Sequence, residues 1–186
     1  ADDAPLMPFT HYGAYKVSNV ELARASWEEH RIPSIGFRPL SVYGPGRDVG
    51  LTADPTLAMK AALLGRPFRI RWGGSTDLIY VDDVARALVT AAGATLDGAR
   101  VYNLHGESAA VADVVRLIEE AWPLARGGIS YADEPIPLPA GLDDQAYQQD
   151  LGPEPRTSLK DGIRQTLEAF AKMQKEGRLD ARELEA

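Results

Sequence analysis

The chain has 186 residues, 45% of them hydrophobic, with a formal net charge of −7 and no cysteine. That size and apolar share support one domain with its own core. The missing cysteines exclude disulfides, thiolate metal sites and cysteine nucleophiles. The negative charge, with basic residues scattered rather than in runs, argues against nucleic acid and anionic membrane surfaces as partners.

The chain opens on a loop, ADDAPLMPFT, with two prolines, two acids and no period. It lacks an initiator Met and has neither the basic start nor the apolar stretch of a signal peptide. No later apolar run reaches membrane-spanning length, so a cytoplasmic protein is expected. A helix is predicted from Tyr12 to His30, with Val20, Ala23 and Trp27 as its apolar stripe and Pro33 ending it. SIGFRPL reads as a strand, with Ile35 and Phe37 alternating, and SVYGPGRDVG as a loop. DPTLAMKAALLG reads as a helix with Pro55 in its first turn and Gly65 at its end. PFRIRW and DLIYV read as strands around a GGST turn. Asp82 or Asp83 is expected to cap the helix VARALVTAA, which Gly93 closes.

RVYNLHG is a further strand. Val111, Val114, Val115 and Ile118 mark an amphipathic helix stopped by Pro123. After the short strand GISY and the loop DEPIPLPAG, Ser158 and Asp161 form a capping box for the last helix, whose buried side is Ile163, Leu167 and Phe170. The tail KEGRLDARELEA is charged and reads as a solvated or frayed helix. Strands alternate with helices, so the class is α/β.

Tyr12 and Lys16 stand four apart on the first helix, so their side chains are neighbours on one face. A phenol is a poor base at neutral pH, and a nearby cation favours the phenolate. Such a pair suits acid/base work in hydride chemistry on a hydroxyl or ketone. By itself the spacing fits two ordinary residues of one helix face better than a catalytic pair. Asp82 and Asp83, adjacent acids at a helix start, read as caps rather than metal ligands. His11, His30 and His105 are too scattered for a metal site, and none is predicted. GPGRDVG, Gly44 to Gly50, is not spaced as a dinucleotide loop and reads as a loop to a substrate region.

Four ordered segments carry a resemblance: PLMPFTHYGAYKVSNVE, IPSIGFRPLSVYGPG, TDLIYVDDVARALVTAA and VYNLHGES. The closing LGPEPRTSLKDGIRQTLEAF matches too. With these the chain resembles the extended short-chain dehydrogenase/reductases, the NAD-dependent sugar epimerases and dehydratases, over their C-terminal half. The resemblance implies a partial Rossmann fold, the C-terminal part of a doubly wound sheet, plus a small substrate-binding subdomain. Residues 1–47 and 80–124 would be the Rossmann remnant; residues 48–79 and 125–186 would be the substrate-binding part. It implies Tyr12 as the acid/base, and Lys16 as the residue that holds the nicotinamide ribose and assists the tyrosine. Pro39 and Val42 would shape the nicotinamide pocket. In many nucleotide-sugar members an arginine precedes the acid matching Asp77; here Thr76 stands there. Arg47, Arg69 and Arg71 are the cations left to face substrate, and a free sugar, sugar acid or polyol gains weight.

The resemblance implies NAD or NADP as cofactor. The family's glycine-rich phosphate loop, its ribose-reading acid and its catalytic Ser or Thr lie upstream of the tyrosine, and nothing before Tyr12 supplies them. Tight cofactor binding or turnover by this chain alone is therefore not expected. A non-catalytic interaction module and one half of a split enzyme stand as alternatives. The strand SIGFRPL would be left with an exposed edge, for which a homodimer or a domain-exchanged oligomer is the expected cover.

Overall fold

A computed structural model describes residues 6–184. The first helix, α1 (His11–His30), starts where Thr10 accepts the Gly13 amide at 3.0 Å. It ends before Pro33 because Arg31 takes the left-handed conformation, φ 56°, and donates to Trp27. Its inward stripe, Val17, Val20, Ala23 and Trp27, is only half-buried, and no residue of the helix is buried outright.

Strand β1 (Ser34–Pro39) runs parallel to β5 (Ala99–Leu104), with Ser34 opposite Ala99 and Pro39 opposite Leu104. Among the described residues β1 pairs only with β5, so its other edge is free. Strand β2 (Ser41–Tyr43) lies where the sequence reading placed a loop; it pairs parallel with β4 (Ser75–Tyr80). Three residues of weak pattern become a strand because β4 offers partners and Ser41 and Tyr43 are buried. Strand β6 (Glu107–Ala110), also not foreseen, pairs antiparallel on the other side of β4. Strand β3 (Phe68–Ile70) pairs with β7 (Ile129–Tyr131).

Helix α2 (Asp54–Leu63) is buried on every side, its charged Asp54 and Lys60 included. It packs between β3, α4 (Val111–Ala121) and α6 (Leu159–Lys175). These elements form the larger core, with Met59, Ile70, Trp72, Ile118, Ile163 and Phe170 at its centre. The capping box foreseen for α6 forms: Ser158 Oγ accepts the Asp161 amide at 3.1 Å and donates to its carboxylate at 2.7 Å. A smaller core joins β1 and β5 to α3 (Val81–Gly93) and α5 (Gln145–Leu151), around Phe37, Tyr102 and Tyr147.

Neither Asp82 nor Asp83 caps α3; both fall inside its first turn after Tyr80. Asp83, nearly buried, instead accepts the Thr157 amide at 2.9 Å and the Thr157 hydroxyl at 2.7 Å, and pairs with Arg86. With Arg86 donating to the Pro155 carbonyl at 3.2 Å, it ties residues 155–157 to α3. The tail is not solvated throughout: Leu179 and Leu184 pack on the larger core.

Candidate active site

Tyr12 and Lys16 occupy one face of α1, with the Lys16 ammonium 5.3 Å from the centre of the Tyr12 ring. Tyr12 is 72% exposed, so the pair is not buried by anything described. It borders a cavity of about 610 Å³ between α1 and the free edge of β1, walled by Val17, Val20, Ala23, Gly36 and Pro39. A second hollow, about 440 Å³, lies along β1 toward α3, against Leu88, Ala91 and Leu96. The free edge of β1 is thus flanked on both faces by apolar troughs, the shape left where a parallel sheet stops and its covering helices continue.

Pro39 meets Tyr12 and Lys16 in the first trough. Val42 does not: it packs into the smaller core with Phe37 and Ile79. The three arginines belong to another region. Arg47 sits on the loop after β2 and donates to Thr52 Oγ1 at 2.8 Å. Arg71 grips the fully buried Asp54: its amide donates at 2.7 Å, and Nε and Nη2 reach the same carboxylate at 3.1 and 2.7 Å. A further bond from Nη2 to the Gly50 carbonyl, 3.2 Å, brings Arg71 beside the Arg47 loop. Arg69 is exposed on β3. Thr76 is fully buried, with its hydroxyl 3.4 Å from that of Ser41.

Two further buried polar groups, Asp77 and Tyr43, were given no structural role by the sequence reading. Asp77, fully buried, accepts the Gly106 amide at 2.8 Å and pairs with His105 Nδ1, joining the end of β5 to β4. In the sequence it is one acid at the head of the apolar run Leu78–Tyr80. Tyr43 is 1% exposed and its hydroxyl has no hydrogen-bond partner. Burial, with the Asp83 and Glu107 carboxylates adding to it, pushes the Tyr43 phenol well above its usual range. Tyr43 therefore stays neutral and serves packing.

Parallel strand pairs β1–β5, β2–β4 and β3–β7, interleaved with helices, give a Rossmann-type α/β fold, present here in part. The structure superposes on a partial-consensus L-threonine 3-dehydrogenase with a TM-score of 0.80 at 21% identity, covering 92% of this chain and 58% of that one. It also superposes on MoeE5, solved with UDP-glucuronic acid and NAD, with a TM-score of 0.77 at 27% identity, covering 92% of this chain and 58% of that one. The model of the NAD-dependent epimerase/dehydratase family matches residues 1–104, and the chain belongs to that family. It is 28% identical over 181 residues to a UDP-glucose 4-epimerase of Mycolicibacterium smegmatis, covering 91% of this chain and 56% of that protein. An uncharacterized UDP-glucose epimerase of Bacillus subtilis, YtcB, is 27% identical over 168 residues, covering 88% and 52%. The chain thus spans about half the length of the curated relatives it matches.

Proposed function

We propose that this chain is the nicotinamide- and substrate-facing part of an NAD(P)-dependent oxidoreductase or epimerase acting on a hydroxyl of a sugar or sugar derivative. The observation that carries the reading is the Tyr12/Lys16 face of α1, set over a trough at the end of β1 beside Pro39. Tyr12 Oη takes the proton of the substrate hydroxyl as the carbinol carbon is oxidised, and returns it in the reverse direction. Lys16 stands where a cation stabilises the charge that Oη carries meanwhile. Bound NAD or NADP supplies the hydride acceptor.

The residues present fit the nicotinamide end of that cofactor: apolar walls from Val17, Val20 and Ala23, and an ammonium donor beside them. The phosphates find no glycine-rich turn in the trough's lining. Residues 1–47 and 80–124 serve the cofactor side and 48–79 with 125–186 the substrate side, α4 bridging them through its packing on α2 and α6. Arg47, Arg69 and the exposed side of Arg71 face the substrate. Relatives are named for UDP-sugars. The buried Thr76, in the place where many members carry an arginine, favours a sugar, sugar acid or polyol without the nucleotide diphosphate. A cytoplasmic location fits such chemistry.

The 186 residues alone are expected not to turn over, because the free edge of β1 lacks the neighbouring strands that would bring a phosphate loop. The same edge supports a second reading, one half of a split enzyme. A homodimer is the assembly we favour. The outer side of α1 presents Ala14, Tyr15, Ser18, Leu22 and Ala25 exposed, interrupted by Glu21 and Glu29, and a second copy is the cover we propose for it. Calorimetry tests the cofactor claim: weak or absent heat with NAD is expected, and micromolar binding by this chain would overturn it. Sedimentation showing a monomer at working concentration would remove the dimer.

A further inference from the structure

Lys60 is a cation inside the core. Its side chain is 2% exposed, and its ammonium lies 5.6 Å from the centre of the Phe170 ring. A buried charge requires partners, and Lys60 has two from distant parts of the chain. Asp48 accepts at 2.7 Å and Glu183 at 3.3 Å. Asp48 belongs to the loop that carries Arg47; Glu183 belongs to the short 3-10 turn Arg182–Leu184 in the tail.

Other tethers hold the two ends of that loop, and Arg71 Nη2 reaches the Gly50 carbonyl at 3.2 Å while Arg47 bonds within the loop to Thr52. Thr56 Oγ1 accepts the Gly44 amide at 3.1 Å, and Trp72 Nε1 donates to the Leu51 carbonyl at 3.1 Å. Between them Gly46 and Gly50 have φ of 88° and 104°, values open mainly to glycine, and Val49 is 74% exposed. Asp48 is the residue that ties the 46–49 stretch to the core. Its grip depends on how dry Lys60 is, because an ion pair weakens steeply as water raises the local dielectric. The docked tail, with Leu179 and Leu184 on the core, covers the Glu183 side of that ammonium.

We infer that the C-terminal tail positions the Arg47 loop through the shared buried cation Lys60. The tail is a strap: docked, it excludes water from Lys60 and tightens Asp48; released, it loosens the loop. Lys60 and Glu183 are positioning residues. The consequence for substrate rests on the reading of Arg47 given above; the coupling itself does not.

Amide hydrogen exchange of the 186-residue chain tests it. Glu183→Gln should speed exchange at residues 47–51 by about fivefold or more, the scale of a modest coupling between sites. It should also shift the Trp72 indole N–H signal. Val114 to Ile118 in α4 should be unmoved, showing an intact fold, and Glu183→Asp should restore slow exchange in part. Removing residues 178–184 should act like Glu183→Gln. Lys60→Met should loosen loop and tail together; if it does not fold, the other two variants decide. Tail variants that leave residues 47–51 and the Trp72 signal unchanged would overturn the inference. In an active assembly, Glu183→Gln should raise KM and spare kcat. A loosened loop with an unmoved KM would sink the Arg47 reading and leave the coupling standing.

Discussion

Arg71 offers a sharp test because its two candidate roles predict different losses. Asp54 is fully buried and takes its ion pair from an arginine that is 59% exposed. Arg71→Met leaves a carboxylate inside the core that keeps the backbone amide of residue 71 as a donor but loses its guanidinium. Breaking a buried pair in this direction costs about 3–5 kcal/mol. Asp54→Asn leaves the opposite residue, a guanidinium that water already reaches, and removes charge-assisted bonding worth about 1.5–3 kcal/mol. The arginine variant should therefore be the less stable of the two, although its side chain is the exposed one. Urea unfolding followed by circular dichroism measures both, with equal m-values required for the comparison. An Arg71→Met loss under about 1 kcal/mol, or smaller than that of Asp54→Asn, would refute the argument and free Arg71 for a purely substrate-binding role.

In an assembly that restores cofactor binding, Tyr12→Phe should lower turnover by about 10²–10⁴-fold while leaving stability unchanged, since the ring is exposed; full activity would remove Tyr12 from the chemistry. Ser158→Ala should destabilise the chain by about 1 kcal/mol at neutral pH through the lost cap of α6. The Ser158 hydroxyl, then Arg164, hold the Asp161 carboxyl below its usual range. That contribution is present above the unfolded value of about 3.9 and lost as pH falls through the lower folded one. The gap between parent and variant should narrow below about pH 4, and a gap that widens there would contradict the assignment. Gly162→Ala should be disruptive inside α6, because a Cβ there would lie 2.0 Å from Tyr43 Oη. Thermal unfolding should show a clear loss, and Tyr43→Leu in the same chain should recover part of it.

The strongest local signals were read correctly because local chemistry causes them. Pro55 and Gly65 bound α2, Val111 to Ile118 give α4 its apolar face, and Ser158 with Asp161 starts α6. Strand β2 and strand β6 were missed. Each is short, and each exists through β4, which is distant in sequence. Local pattern points to Asp82 or Asp83 as a cap because both follow a strand at a helix start, yet Tyr80 holds that position and Asp83 turns to Thr157. Its bonds to Thr157 are set by where residues 152–158 cross α3, 74 positions away.

The family was legible in ordered motifs along the chain, the α/β class in alternating strands and helices, and the shared helix face of Tyr12 and Lys16 in their spacing of four. Which cations remain available was decided only by the tertiary structure. Arg71 and Lys60 look alike in sequence, two basic residues in apolar surroundings. Folding places Asp54 under one, and Asp48 and Glu183 around the other. A charge taken out of water must be met by an opposite charge, and the chain finds that partner by three-dimensional proximity that no local pattern encodes.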